Sequence, residues 1–191
     1  MNLIIFGPPG AGKGTQSSFI VNKYNFFQLS TGEILREEIK KKTEIGNKIS
    51  KTINSGSLVS DEIVSKLVEK FISINKYKNK FIFDGYPRSI TQAKNLDFLL
   101  SNHEQKIDLV LKLSVSLDQI KKRISGRLSC SICGKIYNEF FKPPPLNSNC
   151  CSPRFLHKRS DDTLDIAVKR FQTYEESTAP LIDFYKKLDL L

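Results

Sequence analysis

The sequence predicts a three-layer α/β fold in which a parallel sheet lies between layers of helices. Short apolar runs of strand length alternate with segments of helical periodicity, and each run ends in glycine or polar residues. Strands that alternate with helices form parallel sheets, which bind ligands at the carboxyl ends of their strands. The 191 residues suffice for one core with insertions, since a domain typically holds roughly 100–200 residues.

The predicted elements follow one another along the chain in this order. Four apolar runs predict strands at residues 3–6, 26–29, 81–83 and 109–113. Helical spacing predicts helices at residues 16–24, near 33–53 with a break at 43–46, from 61, from about 90, at 117–124, 164–174 and 181–188. Thr31 and Asp61 are candidate helix N-caps, because their side-chain oxygens can accept from the free N–H groups of a first turn.

A glycine-rich loop follows the first strand directly. Glycines occur at positions 7, 10, 12 and 14, around Lys13, and a helical segment begins after Thr15. Such a loop turns its N–H groups toward a bound phosphate, the helix N-terminus adds a positive dipole, and the lysine reaches the outer phosphates. The usual pattern has Ser or Thr directly after the lysine, whereas Gly14 intervenes here. The loop predicts a nucleotide phosphate site rather than a solvated turn.

Charged residues at the ends of other predicted elements extend this site. Asp84 ends the third apolar run and is predicted to orient Mg²⁺ or its waters beside the phosphate loop. Phosphoryl transfer requires positioning and charge neutralisation more than a nucleophilic side chain. Six of the seven arginines lie at strand-end loops or flank the 126–159 segment, and we interpret them as a clamp: Arg36, Arg88, Arg123, Arg127, Arg159 and Arg170.

The composition restricts the partners that the chain is expected to bind. A net charge of +10 favours acidic partners, and 23 Lys and 7 Arg are spread along the chain rather than blocked. Small phosphates are therefore favoured over nucleic acid. No apolar run approaches the roughly 20 residues of a membrane span, and no leader precedes the first strand, which predicts a cytoplasmic enzyme.

All four cysteines lie within a segment at residues 126–159 that has little helical periodicity and looks like an inserted subdomain. Cys130 and Cys133 form a Cys-x₂-Cys motif, and Cys150 and Cys151 are adjacent. Clustered cysteines in a protein of this kind indicate a structural zinc site, with a loop of free thiols as the alternative. Because adjacent cysteines rarely bind one ion without strain, three ligands are favoured over four.

Four motifs in order resemble those of the bacterial adenylate kinases with a long lid. They are residues 7–15 (GPPGAGKGT), 29–32 (LSTG), 84–88 (DGYPR) and 159–162 (RSDD), and the resemblance extends over essentially the whole chain. It implies the reaction ATP + AMP ⇌ 2 ADP with Mg²⁺ in a monomeric enzyme. It also implies a P-loop core at 1–29, 60–125 and 161–191, an AMP-binding subdomain at 30–59, and a lid insert at 126–160.

The resemblance also implies a role for each matching residue. ATP contacts are expected from Gly10, Ala11, Gly12, Lys13, Gly14, Thr15, Arg123, Arg127 and Tyr137. AMP contacts are expected from Thr31, Arg36, Leu58, Val59, Gly85, Arg88, Gln92, Arg159 and Arg170, with Gln92 at the adenine edge. Catalytic roles fall to Lys13, Asp84, Arg88, Arg123, Arg159 and Arg170. Asp161 and Asp162 match an acidic pair that ties the lid to the site.

The chain departs from the family pattern in two places. In zinc-bearing relatives the second motif is Cys-x₂-Cys, which would make Pro153 the fourth ligand here. The fourth ligand is then Cys151, His157 or water, or the site is empty. The sequence also ends at Leu191, so the last strand and helix of the family are expected to be absent. An exposed edge at 109–113 is then expected to weaken ATP binding or to promote association.

Three alternative functions stay open from the sequence. A kinase for UMP or CMP shares the loop and the arginines, although such enzymes usually have a short lid. A zinc-ribbon nucleic-acid binder fits the charge and the cysteines but leaves the phosphate loop unexplained. A truncated homologue would bind nucleotide without turnover.

Overall fold

Two separate sheets and eight α-helices are the main elements of the described part of the chain. A computed structural model describes residues 1–145, 150–159 and 161–191. The strands are β1 (Leu3–Phe6), β2 (Phe27–Ser30), β3 (Phe81–Asp84), β4 (Leu109–Lys112), β5 (Arg127–Cys130), β6 (Ile136–Asn138) and β7 (Leu156–His157). The helices are α1 (Lys13–Tyr24), α2 (Thr31–Lys40), α3 (Glu44–Asn54), α4 (Asp61–Ile72), α5 (Ile90–Asn102), α6 (Leu117–Ser125), α7 (Leu164–Thr173) and α8 (Pro180–Lys186). In these residues no helix combines the length and apolar character that crossing a membrane requires.

The larger sheet is parallel throughout, which confirms the predicted α/β class. Its strand order is β2-β3-β1-β4, and Ile4 of β1 lies beside Phe83 on one side and Val110 on the other. Every residue of β1 and β3 is buried. Helices cover both faces of a parallel sheet, so its central strands read as unbroken apolar runs, and this is why the sequence revealed them.

The two faces of the sheet pack against different helices. On one face Phe83 packs with Leu96 of α5 and Tyr185 of α8 in the main hydrophobic core. On the other face Ile5 and Ile82 form a smaller cluster with apolar side chains of α1. At the edge strand β4, the N–H of Val110 donates to the carbonyl of Leu190, a residue that follows α8, at 2.7 Å. Because these strands run parallel, the carboxyl ends of β1, β2 and β3 lie at the same edge of the sheet.

The predicted insert contains a second, antiparallel sheet that the sequence did not reveal. Its order is β6-β5-β7, and the strands contain only three, four and two residues. Strands this short show too few alternations of apolar and polar residues for a periodicity signal. Residues 146–149 and 160 of the predicted lid lie outside the described residues.

Two helices begin at residues other than those predicted, and a third has a different N-cap. Helix α1 begins at Lys13 rather than residue 16, since Gly12 takes a left-handed conformation (φ 96°) that ends the loop directly before it. Thr31 is the first residue of α2 rather than its cap, and its Oγ1 donates to the carbonyl of Gly85 at 2.9 Å. Ser60, not Asp61, is the N-cap of α4.

Helices α2 and α3 cross closely at a glycine. Thr43 caps α3 by accepting from the N–H of Gly46 at 3.0 Å. A Cβ added at Gly46 would lie 2.1 Å from the carbonyl oxygen of Glu38 in α2. The crossing therefore depends on the absence of a side chain, and it fixes the helix that carries Arg36.

Candidate active site

A cavity of about 520 Å³ opens at the carboxyl ends of the parallel strands. The phosphate loop, the α2–α3 pair and the β5–β6 hairpin surround it. Every residue that the sequence analysis assigned to a nucleotide site lines this cavity: Gly10, Ala11, Gly12, Lys13, Gly14, Thr15, Thr31, Arg36, Leu58, Val59, Asp84, Gly85, Arg88, Gln92, Arg123, Arg127, Tyr137, Arg159 and Arg170. The structure thus brings together residues from most of the chain, while their individual roles stay predictions.

The phosphate loop wraps around the ammonium group of Lys13. Its Nζ donates to the carbonyl oxygens of Gly7 at 2.6 Å and Pro8 at 3.1 Å. Burial lowers the pKa of Lys13 to about 8; Asp84 opposes this shift, and the nearby Arg88 and Arg127 reinforce it. A bound phosphate would offer the lysine an anionic partner in place of carbonyl dipoles.

Asp84 lies at the end of β3 against the first turn of α1. Its side chain is buried, and its Oδ2 accepts from Nε2 of Gln28 at 2.9 Å. A Cβ added at Gly14 would lie 3.6 Å from the same oxygen, so the carboxylate lies close to the helix start. Carboxylate oxygens are preferred Mg²⁺ ligands, and this donor fits a magnesium ion carried in by phosphates on the loop.

Positive charge exceeds negative charge in the lining of the cavity. Among the described residues the lining holds the carboxylates of Glu33 and Asp84 against eight cations: Lys13, Arg36, Arg88, Arg123, Arg127, Lys142, Arg159 and Arg170. Burial, followed by the charges of Arg36 and Arg127, lowers the pKa of Arg159 to about 10. Burial, followed by the charge of Arg170, also lowers the pKa of Arg88. Cations crowded in this way repel one another until an anion enters.

Hydrogen bonds fix four of the arginines in place. Nε of Arg127 donates to Oδ2 of Asp162 at 2.7 Å, and its Nη2 donates to Oδ1 of the same carboxylate. Nη2 of Arg170 donates to Oδ2 of Asp161 at 2.5 Å. The remaining two bind the backbone: Arg123 donates to the Ala11 carbonyl at 2.8 Å and Arg88 to the Gly85 carbonyl at 2.7 Å.

A less charged part of the cavity lies beside α4 and α5. Val59 and Val64 are buried there, and Leu58 is half-buried. Gln92 adds a polar side chain that is only 2% exposed. Apolar walls with one buried amide suit a flat heterocycle with polar edge atoms.

The four cysteines converge in the smaller sheet. Their Sγ atoms all lie within 4.8 Å of one another. Sγ of Cys133 lies 3.5 Å from Sγ of Cys151, and Cys130 and Cys151 are buried. Zinc–sulfur bonds of about 2.3 Å in a tetrahedron separate the sulfurs by about 3.8 Å, so the cluster fits a zinc ion. Both adjacent cysteines belong to the cluster, and His157 is not part of it.

Sequence reasoning missed several residues of the cavity mouth. Asn138, Phe141 and Lys142 line the cavity, and Nδ2 of Asn138 donates to the carbonyl of Arg123 at 2.9 Å. The signal that could have revealed them is the basic and aromatic stretch at residues 135–142. Asp61 was also missed as a partner of the site.

Comparison with known proteins gives one consistent result. The family described as "Adenylate kinase" matches residues 5–190. Three proteins named adenylate kinase are similar over nearly the whole chain. The protein from Pelagibacter ubique is 49% identical, over 98% of this chain and 88% of its own length. The proteins from Fusobacterium nucleatum and Mycoplasma capricolum are 44% and 43% identical, each over 97% of this chain and 86% and 87% of their own lengths.

Proposed function

The chain belongs to the adenylate kinase family, and we propose that it transfers a phosphoryl group reversibly from MgATP to AMP, giving two molecules of ADP. One observation carries this proposal. The phosphate loop, the arginines and the buried amide of Gln92 all face a single cavity in which cations far outnumber carboxylates. This distribution of charge would accommodate two phosphate-bearing ligands whose phosphate groups meet end to end.

We propose that ATP binds through the phosphate loop. The N–H groups of residues 10–15 and the N-terminus of α1 hold its phosphates, and Lys13 exchanges its carbonyl partners for phosphate oxygens. Arg123, Arg127 and Tyr137 contact the ATP from the lid side of the cavity.

The AMP site lies beside α2, α4 and α5. Arg36 and Arg88 hold the AMP phosphate, and Thr31, Leu58, Val59 and Gly85 enclose the nucleoside. Gln92 binds the polar edge of the adenine. The apolar wall of half-buried Leu58 and buried Val59 supports this assignment, since a purine needs apolar contact on its face.

Transfer proceeds between the two phosphate groups. Lys13, Arg88, Arg123, Arg159 and Arg170 are proposed to neutralise the charge that spreads over the moving group. Asp84 would orient a magnesium ion or its waters beside the phosphates. When bound, Mg²⁺ with ATP supplies charge neutralisation at the phosphate oxygens. No covalent enzyme intermediate is needed.

Closure of the insert is proposed to exclude water. We propose a core at 1–29, 60–125 and 161–191, an AMP-binding subdomain at 30–59 and a lid at 126–160. The close α2–α3 crossing and the separate three-stranded sheet support this division. Exclusion of water would direct the phosphoryl group to AMP rather than to solvent.

The lid is proposed to hold one structural zinc ion on Cys130, Cys133, Cys150 and Cys151. The convergence of their four Sγ atoms supports this set. The phenol ring of Tyr137 packs in the same cluster as Cys130 and Cys151. The cysteine cluster would thus stabilise the part of the lid that faces the nucleotide.

The enzyme is further proposed to act as a monomer in the cytoplasm. The resemblance to the adenylate kinases implies a monomer. None of the four cysteines forms a disulfide in the described residues, as a reducing compartment would favour.

Formation of diphosphate from MgATP with AMP, CMP, UMP or GMP tests the proposal. We expect turnover with AMP and little with the others. Preference for CMP or UMP would support the pyrimidine kinase instead. Binding of ATP with no turnover on any acceptor would identify an inactive homologue.

A further inference from the structure

The side-chain amide of Gln92 lies between an obligate donor and an obligate acceptor. The backbone N–H of Arg88 donates to Oε1 of Gln92 at 2.7 Å. Nε2 of Gln92 donates to Oδ1 of Asp61 at 2.6 Å. A backbone N–H can only donate, and an ionised carboxylate can only accept. The two partners therefore allow one of the two flipped orientations of the amide and oppose the other.

Asp61 makes this contact from outside the cavity. It is the first residue of α4, its side chain is exposed, and it is absent from the described lining of the cavity. Gln92 lies in the first turn of α5, where its N–H binds Oγ of the cap residue Ser89 at 3.1 Å. The backbone of Gln92 is thus held by its own helix, and its side chain is held by a different one.

The fixed amide keeps one acceptor position and one donor hydrogen for a ligand, because each end of an amide has two. Adenine offers a donor at N6 beside an acceptor at N1, whereas hypoxanthine and guanine offer an acceptor at O6 beside a donor at N1. The amide can match the second pattern only after it flips. Oε1 would then face the carboxylate of Asp61, and Nε2 would face the N–H of Arg88.

We infer that Asp61 is a positioning residue that sets the base specificity of the AMP site by fixing the orientation of Gln92. The inference rests on the proposed function, in which Gln92 reads the adenine. Specificity arises as much from the penalty on the wrong base as from contacts with the right one. A 6-oxopurine is expected to bind more weakly, because it requires the Gln92 amide to flip and so to lose its hydrogen bonds to Arg88 and Asp61.

The variant Asp61→Asn keeps a hydrogen-bond partner for Gln92 but no longer dictates the direction of that hydrogen bond. Asparagine has the same shape, and its amide can either accept from Nε2 or donate to Oε1 of a flipped Gln92. The affinities of AMP and IMP are measured by calorimetry without ATP, together with the melting temperature. We expect the AMP-to-IMP affinity ratio to fall about tenfold, the scale of one charge-assisted hydrogen bond, with little change in melting temperature.

Two further variants make the result specific. Glu62→Gln removes the same charge from the same helical turn, where Glu62 is exposed and pairs with Lys66 at 2.8 Å. Glu62→Gln should retain the wild-type ratio, and so should Asp61→Glu, which keeps a carboxylate. An unchanged ratio in Asp61→Asn, with wild-type protein that binds AMP, would overturn the inference alone. Wild-type protein that neither binds nor phosphorylates AMP would overturn the proposed function as well.

Discussion

Arg170 donates from Nη2 to Oδ2 of Asp161 at 2.5 Å, across the turn that joins the predicted lid to α7. Asp161 is 4% exposed, and Arg170 also faces the cavity. Burial alone would raise the pKa of Asp161, but Arg170, and then Arg36 and Arg127, lower it overall. One carboxylate thus holds an arginine of the candidate site in place and balances part of its positive charge.

Replacing Asp161 should change how stability depends on pH. Because its pKa is lower folded than unfolded, the carboxylate stabilises the fold above its unfolded pKa and loses this effect as pH falls through the folded value. We expect Asp161→Asn to lose about 1–3 kcal/mol of unfolding free energy at pH 7 and to show a flatter acid limb. Urea melts from pH 2 to pH 7 measure both. The exposed neighbour in the first turn of α7 provides the control, Asp165→Asn, which should retain the wild-type profile.

Removing the ammonium group of Lys13 should abolish most of the turnover. Lys13→Ala deletes the only lysine of the phosphate loop, and we expect kcat to fall at least about 100-fold, as for loss of one electrostatic donor at a transition state. Coupled assay of ADP formation measures this. Lys23→Ala is the matched control, because Lys23 lies in the last turn of the same helix and over the exposed rings of Phe19 and Tyr24. Equal loss in both variants would contradict the assigned role.

Nucleotide binding should take up a proton in mildly alkaline solution. The free protein has a Lys13 pKa of about 8, and an anionic phosphate would raise it. ATP affinity should therefore decline as pH rises above 8, and a proton should be absorbed on binding at about pH 8.5. Calorimetry in buffers of different ionisation enthalpy detects this uptake. It should vanish in Lys13→Arg, whose guanidinium stays protonated; uptake that persists would assign the proton to another group.

The cysteine cluster predicts which residue completes a metal site. Cys151→Ser should lower zinc affinity by at least about tenfold, since one of four thiolates is lost. His157→Ala should bind zinc as the wild type does, because His157 lies outside the cluster. Competition with a chromophoric chelator measures both affinities. A larger loss of zinc affinity in His157→Ala than in Cys151→Ser would instead identify His157 as the ligand.

The α2–α3 crossing should not tolerate a side chain. We expect Gly46→Ala to cost about 1–3 kcal/mol, since its Cβ would overlap the Glu38 carbonyl oxygen and force the helices apart. The KM for AMP should rise as well, because α2 carries Arg36. Chemical unfolding and initial rates measure these effects. Lys48→Ala lies on the same helix, is exposed, and should change neither.

Local pattern was enough to determine much of this protein from the sequence. The strands at Leu3–Phe6 and Phe81–Asp84 are buried on both faces and so appear as apolar runs, and the phosphate loop is a contiguous signature. The same motifs identified the family, which the comparisons confirm. The short strands of the insert gave no such signal, and the helix starts were displaced where glycine or tertiary contacts decided the boundary.

Only the tertiary structure decided which distant groups meet. Asp61 binds Gln92 across 31 residues of sequence, and both Cys150 and Cys151 join the cluster with Cys133, whereas the sequence favoured only three cysteine ligands. The arginines from five separate segments share one cavity. Periodicity and spacing report interactions of a few residues along the chain, whereas the direction of a side chain and the partner it finds depend on how helices and strands pack.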